Sequence, residues 1–111
     1  MAESTPWGEI VSLYDALLTL RPSPVVALNR AMAIAQHDGP AMGLDAIRGI
    51  QDAALLSTYP FYPAAQGELE RRLGRTDVAA QHFATAMKLA RNDSERRFLA
   101  ERLADCDVPL P

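Results

Sequence analysis

Apolar residues recur every three or four positions along much of the chain, which is the spacing of one face of an α-helix. The first such stretch runs from Pro6 to Leu20 and carries Ile10, Leu13, Tyr14, Leu17 and Leu18. Thr5 is expected to cap this helix, because a threonine hydroxyl accepts a hydrogen bond from a free N–H of the first turn. Pro6 suits the first helical position, where a missing N–H costs nothing.

Prolines, glycines and capping residues divide the rest of the chain into five further helices. The segment Arg21–Pro24 should end the first helix, because a residue before a proline is pushed out of the helical region. The second helix is predicted from Pro24, with Ser23 as its cap, to about Gln36, and the third from Ala41 to about Ile50. The fourth is predicted from near Tyr59–Phe61 to Leu73–Gly74. The fifth is predicted to follow Thr76, which would be its cap. The sixth is predicted from Asp93 to about Ala104, with Asn92 as N-cap and Glu95 reaching back in a capping box.

The same pattern predicts which side chains point inward. They are Val78, Ala79, Phe83, Ala86, Met87 and Leu89 in the fifth helix, and Phe98, Leu99 and Leu103 in the sixth. Between the third and fourth helices, Leu55, Leu56 and Tyr59 are expected to lie beneath a loop or a short helical turn.

Composition favours the same fold class. The 111 residues include 19 Ala and 14 Leu but only 5 Val and 4 Ile, so helix formers far outnumber β-branched residues. Short connections make neighbouring helices antiparallel, and the length fits one domain. We therefore predict an all-α fold of antiparallel helix pairs. Residues 1–5 would be a linker remnant, 6–105 a single domain and 106–111 a flexible tail.

The fourth and fifth predicted helices carry small and aromatic residues in the order of a tetratricopeptide (TPR) repeat. Gly67 is followed by Gly74, Ala79, Phe83 and Ala86, at offsets of 7, 12, 16 and 19. The small residues at 67, 79 and 86 would let the two helices approach closely, while the Phe83 ring fills the space between them.

A second, weaker copy of this pattern precedes the first. A shift of 36 residues places Ala31, Gly43, Ile47 and Ile50 over Gly67, Ala79, Phe83 and Ala86. The sixth helix would then be the capping helix that covers the apolar end of a repeat array. The pattern predicts a TPR-like, right-handed array of about six helices, with an unrelated helical bundle as the alternative.

Residues typical of catalysis or metal binding are scattered rather than clustered. His37 and His82 fall on different predicted helices, far from Cys106, and no pair has metal-ligand spacing. No serine has the context of a nucleophile elbow, and no glycine-rich loop could cradle a phosphate. We therefore predict a protein that is not an enzyme and needs no metal or cofactor. A single cysteine and the lack of a long apolar stretch favour a cytoplasmic location without a membrane partner.

Two polar clusters are candidates for partner binding. Asn29 and Arg30 interrupt the apolar run from Val25 to Ala35. In one interpretation Asn29 bonds a neighbouring loop or helix, and Arg30 extends its stem to solvent. In the other, both line the concave groove of a TPR-like array.

The second cluster consists of arginines in a locally basic part of a chain whose net charge is −3. Residues 71–102 hold eight basic and four acidic side chains, and the candidate residues there are Arg71, Arg72, Arg75, Arg96 and Arg97. Paired with Glu68, Glu95, Glu101 and Asp93, they would be ordinary solvated faces. As a patch they would favour an acidic partner surface. Contacts with a phosphate backbone are a third alternative, which rests on the local excess of positive charge, but no aromatic interleaving supports single-strand binding.

Four segments in a fixed order resemble one family. They are Leu13–Leu18, Pro22–Ala31 (Pro-Ser-Pro-Val-Val-Ala-Leu-Asn-Arg-Ala), Arg72–Arg75 (Arg-Leu-Gly-Arg) and Asn92–Leu99, which begins Asn-Asp-Ser-Glu-Arg. Over about residues 7–104 the chain resembles the C-terminal TPR-like extension of bacterial extracytoplasmic-function (ECF) sigma factors.

The resemblance implies a regulatory module of transcription initiation. It would act through protein contacts with the sigma factor's own N-terminal regions, with RNA polymerase or with another regulator, and it would not bind nucleic acid or a small-molecule substrate itself. The promoter-recognition regions of such proteins are absent from this sequence, so the resemblance implies a fragment whose Met1 is supplied by expression. A stand-alone TPR-type adaptor unrelated to transcription is the alternative.

Overall fold

The computed structural model describes residues 5–106, and this part of the chain contains helices but no strand. The helices are α1 (Trp7–Leu20), α2 (Pro24–Asp38), α3 (Pro40–Arg48), α4 (Phe61–Arg72), α5 (Thr76–Leu89) and α6 (Asp93–Cys106), with a 3-10 turn at Ala53–Leu56. The predicted all-α class is therefore confirmed for the described residues. Within them, no helix is both long and apolar enough to cross a membrane.

Contacts divide the chain into two compact units, one ending at Ala53 and the other beginning at Ala54. In the first unit, α2 packs against both α1 and α3; in the second, α5 packs against both α4 and α6. The tail predicted for 106–111 begins at Cys106, which lies in the last turn of α6. Residues 1–4 and 107–111, where the predicted linker remnant and tail fall, lie outside the described residues.

Two of the predicted helix caps are confirmed by their hydrogen bonds. The Ser23 hydroxyl accepts from the Val26 N–H at 3.2 Å, with Pro24 as the first residue of α2. The Asn92 side-chain oxygen accepts from the Glu95 N–H at 2.8 Å. In both, a short polar side chain bonds an N–H three residues ahead, which satisfies a donor that the helix itself leaves free.

The predicted caps at Thr5 and Thr76 are wrong. Pro6 occupies the cap position of α1, and the backbone oxygen of Thr5 accepts from the Trp7 N–H at 2.8 Å. At α5 the cap position belongs to Arg75, whose backbone oxygen accepts the first helical hydrogen bond from the Ala79 N–H at 2.9 Å. In the preceding turn the N–H groups of Gly74 and Arg75 donate to the backbone oxygens of Arg71 and Glu70 at 3.0 and 2.9 Å. This is a Schellman motif, which places Gly74 at φ +82°.

The close approach predicted between α4 and α5 is confirmed at Gly67. A Cβ at this position would lie 3.0 Å from Cε2 of Phe83 and 3.2 Å from the backbone oxygen of Ala79. The Phe83 ring is fully buried, in a core with Ala64, Ala79, Ala86 and Leu99. A side chain at position 67 would therefore force the Phe83 ring or the α5 backbone to shift.

The first unit reproduces part of this arrangement. Ala31, Gly43 and Ile47, the predicted counterparts of Gly67, Ala79 and Phe83, are all buried in the packing of α2 and α3. The predicted correspondence of Ile50 with Ala86 is wrong, because the two residues differ in burial and in their position relative to a helix. Ile50 is only partly buried and follows α3, which ends at Arg48, whereas Ala86 is buried within α5.

Several residues predicted to point inward are exposed instead. Leu55 is 72% exposed, whereas its neighbour Leu56 is buried as predicted. Val78 and Phe98 are also exposed, although the Phe98 ring lies 6.4 Å from that of Phe61. A helix turns 100° per residue, so Leu99 takes the buried position and its neighbour Phe98 falls at the edge.

Candidate protein-interaction groove

An open groove of about 240 Å³ lies between α1 and α2 in the first unit. One wall comes from α1 and consists of Trp7, Ile10 and Tyr14; the other comes from α2 and consists of Asn29, Met32, Ala33 and Gln36. Ligand-binding sites are commonly lined by apolar and aromatic side chains with a few polar groups, and this groove has that kind of lining.

Helical periodicity explains why these residues share one surface. Positions 7, 10 and 14 on α1, and 29, 32, 33 and 36 on α2, repeat at spacings of three and four, so each set lies on one side of its helix. The turn at residues 21–23 returns the chain antiparallel to α1.

Two contacts near the groove hold α1 and α2 together. The Arg30 Nε donates to Asp15 Oδ1 at 2.6 Å. At the other end of the pair, the His37 ring lies against Gly8, where a Cβ would be 3.4 Å from Cε1 of His37. The two helices that form the walls of the groove therefore contact each other at two positions along their length.

Asn29 is the candidate residue that the structure brings to the groove. Its side chain is exposed and makes no hydrogen bond with any residue in the range 5–106. The predicted bond from Asn29 to a neighbouring loop or helix is therefore not found among these residues. An amide has two donors and an acceptor with two lone pairs, all available to a ligand.

Arg30 does not line the groove, although it follows Asn29 directly. Its guanidinium bonds Asp15 on α1, and about one third of the side chain remains exposed. The structure thus separates the two candidates: Asn29 faces the groove, and Arg30 ties the helices together beside it.

The two arginines at the end of α4 share one acidic neighbour, Glu68. Arg71 binds Glu68 through Nε and Nη2 at 3.2 and 2.8 Å, and the Arg72 Nε binds the same carboxylate at 2.9 Å. Burial raises the pKa of Glu68, but the hydrogen bonds and charges of the two arginines outweigh it, so its pKa is lowered. The hydrogen bonds that Arg71 donates to Glu68 raise the pKa of Arg71.

The remaining candidate arginines do not join these into one basic surface. Arg75 Nη1 lies 2.8 Å from an oxygen of the buried Glu70, and Arg96 Nη1 lies 2.7 Å from Asp93. Arg97 is exposed and forms no ion pair with the described residues. Extending the basic segment back to include Glu68 and Glu70 halves its excess of positive charge. The interpretation as solvated, paired faces therefore accounts for Arg71, Arg72, Arg75 and Arg96.

One cluster in the second unit joins three residues that sequence analysis did not group together. The Glu95 carboxylate accepts from the Arg91 backbone N–H at 2.9 Å and from its guanidinium Nε at 3.1 Å. The Arg91 guanidinium also lies 5.6 Å from the centre of the Tyr59 ring. Glu95 thus reaches back as predicted, but to Arg91 and not to Asn92, and hydrogen bonds from Arg91 lower its pKa.

His37 lies on α2 of the first unit, whereas His82 and Cys106 lie on α5 and α6 of the second. Among residues 5–106 there is no group of three or more His, Cys, Asp or Glu side chains arranged to hold a metal ion. Partial burial lowers the pKa of His82, against a smaller opposite effect of the Glu70 charge.

The groove residues Trp7, Tyr14 and Met32 were not predicted as candidates from the sequence pattern. The signal was present in their helical spacing, but the same spacing is equally typical of core residues. Only the packing of α1 on α2 distinguishes the two.

A comparison with curated proteins finds an uncharacterized protein of Rhizobium meliloti (strain 1021), which is 41% identical over 101 residues. The match covers 91% of this chain and 23% of the relative, so the chain spans about a quarter of the relative's length. No family model and no solved structure matches the chain.

Proposed function

We propose that the chain is a protein-interaction module with a TPR-like array of helices, which forms the C-terminal regulatory region of an ECF-type sigma factor. The observation that carries this proposal is the groove between α1 and α2, where the Asn29 amide has no hydrogen-bond partner among the described residues. The module modulates transcription initiation through contacts with the sigma factor's N-terminal regions, with RNA polymerase or with another regulator.

The groove has the chemistry for binding a segment of another protein. Apolar walls supply affinity, because burying apolar surface is worth roughly 25 cal/mol per Å². The Asn29 amide adds direction, since it can donate to a carbonyl and accept from an N–H of a bound segment. Neither role requires catalysis, a metal or a cofactor.

The packing within each unit supports a TPR-like arrangement. Gly67 against Phe83 in the second unit and buried Ala31 and Ile47 in the first are the contacts that a repeat of helix pairs needs. The last helix buries Leu99 while its opposite positions are charged and exposed. This is the character of a helix that covers the end of a repeat array.

The assignment to a sigma factor is supported by the order of the four resembling segments. Two of them serve local structure: Ser23 caps α2, which begins at Pro24, and Asn92 caps α6. The relative from Rhizobium meliloti extends far beyond the shared segment, as a protein with further regions would. The proposal carries with it a cytoplasmic site of action.

In vitro transcription with the full-length protein tests the proposal. Its activity and its binding to core RNA polymerase are compared with and without residues 7–111, and with Asn29→Ala. The exposed amide of Gln51, which does not line the groove, provides the matched control Gln51→Ala.

We expect deletion of the module to change transcription or polymerase binding, and Asn29→Ala to reproduce part of that change while Gln51→Ala leaves it unaltered. A full-length protein without upstream promoter-binding regions would contradict the sigma-factor assignment and favour a stand-alone adaptor. A regulatory effect that is insensitive to Asn29→Ala would instead exclude the groove as the binding site.

A further inference from the structure

One face of α1 is apolar and uncovered. Leu13, Leu17 and Leu20 are 65%, 50% and 83% exposed, and α1 is a helix without a fully buried residue. Their spacings of four and three place them on one side of the helix, and we call these three residues the leucine face. Leucine side chains exposed side by side on a helix are typical of a surface that binds another protein.

Opposite charges lie at the two ends of the leucine face. Glu9 is in the first turn of α1, and Arg21 follows its last residue. Both side chains are exposed, and neither forms an ion pair with a residue in the range 5–106. By contrast Asp15, halfway between them, is bonded to Arg30 of α2.

We propose that α1 pairs with α1 of a second copy of this chain, antiparallel and about a two-fold axis at the level of Asp15. Glu9 and Arg21 are each six residues from Asp15, a rise of about 9 Å in opposite directions along the helix. The two-fold axis therefore brings Glu9 of each copy to the level of Arg21 in the other, at the edges of the leucine face. It also brings each Leu13 to the level of Leu17 in the second copy.

The charges and the helix dipoles favour this orientation over a parallel one. In a parallel pair Glu9 would face Glu9 and Arg21 would face Arg21, and like charges repel. In the antiparallel pair, each helix also sets its positive N-terminal end beside the negative C-terminal end of the other. A two-fold interface of this kind uses the same patch on both copies.

The small size of the leucine face sets the expected strength of the dimer. A standard stable interface buries about 800 Å² on each partner, or 20–30 residues a side. Three leucines and the charged residues beside them bury less area than this, so the proposed dimer is weak and dissociates on dilution.

Sedimentation equilibrium of the full 111-residue chain over a range of concentrations measures the association. The variant Leu13→Asp is compared with Leu55→Asp, because both leucines are exposed to a similar extent and Leu55 lies outside the leucine face. We expect Leu13→Asp to raise the dissociation constant about tenfold or more, since it buries an unpaired charge. Leu55→Asp should leave the constant unchanged, with circular dichroism confirming that both variants retain their helices.

Charge reversal tests the orientation without touching the leucines. Glu9→Arg and Arg21→Glu should each weaken the dimer, by about threefold or more at low salt. The double variant restores opposite charges across the two-fold axis and should return to near the parent's dissociation constant.

Two results would overturn the proposal. A chain that stays monomeric at millimolar concentration would show that the leucine face is not covered by a second copy, as when another segment or protein covers it. If the double variant dimerises no more tightly than the two single variants, the antiparallel pairing is excluded.

Discussion

Gly67 of α4 faces the ring of Phe83 of α5 so closely that a Cβ at position 67 would lie 3.0 Å from Cε2 of the ring. The backbone oxygen of Ala79 would lie 3.2 Å from the same Cβ. Phe83 is fully buried and cannot swing aside without disturbing the core, and the carbonyl belongs to the helix itself. The close packing of α4 on α5 therefore requires that position 67 carry no Cβ atom, unless the Phe83 ring or the α5 backbone shifts.

This contact predicts that Gly67→Ala destabilises the protein. Overpacking of a filled core costs about 1–3 kcal/mol, which exceeds the gain of about 1 kcal/mol from replacing a helical glycine by alanine. We expect a net loss of about 1 kcal/mol in the free energy of unfolding, measured by urea denaturation.

Gly49→Ala is the matched control for this substitution. A Cβ there would lie 3.6 Å from its nearest neighbour, an ordinary contact, and the backbone φ is −86°. Its effect should stay within about 0.5 kcal/mol. Equal stability of the Gly67→Ala variant and the parent would show that the helices can move apart freely.

The carboxylate shared by Arg71 and Arg72 predicts a pH-dependent contribution to stability. The pKa of Glu68 is lowered in the folded protein, so the folded state binds its proton less readily than the unfolded state does. Its contribution is complete above the unfolded pKa and is lost as the pH falls through the folded pKa. We expect Glu68→Gln to cost about 1 kcal/mol at pH 7.

Urea denaturation at neutral pH and at about pH 3 measures this difference. The difference in the free energy of unfolding between the parent and Glu68→Gln should be smaller at the lower pH. Glu101→Gln serves as control, because Glu101 is exposed and forms no ion pair with the described residues. If this difference in the free energy of unfolding is the same at both pH values, Glu68 stabilises the fold through packing and not through its charge.

The cap of α6 predicts a third change in stability. The Asn92 oxygen accepts from the Glu95 N–H at 2.8 Å, and removal of such a cap costs about 1 kcal/mol. Asn92→Ala should lower the free energy of unfolding by this amount, as measured by thermal or urea denaturation. Ser94→Ala, a neighbouring change in the first turn of α6, should have little effect, and similar losses in both variants would contradict a specific cap.

Local chemistry made much of the helical structure predictable. Ser23 before Pro24 and Asn92 before Asp93 mark helix starts because each cap bonds an N–H only three residues away. The close approach at Gly67 was also predictable, since helices joined by a short turn must pack side by side. Thr76 was assigned wrongly because Arg75, the last residue of the preceding Schellman motif, already accepts the first hydrogen bond of α5 from the Ala79 N–H.

The candidate site was predicted only at Asn29. Periodicity places Leu13 and Tyr14 on a helix but does not tell which of them meets α2, because neighbouring positions differ by only 100°. For the arginines the sequence left two interpretations open, paired solvated faces or a patch. The contacts that Arg71, Arg72 and Arg75 make with Glu68 and Glu70 span three to five residues and depend on side-chain direction.

By itself the sequence determined the helical class, most helix boundaries and the small residues that let α4 and α5 approach, because these follow from contacts within a few residues. The tertiary structure alone decided that Asn29 faces an open groove while Arg30 bonds Asp15, and that the leucines of α1 remain exposed. Those outcomes depend on the rotation of one helix against another, which is set by the summed packing of many side chains and not by any local motif.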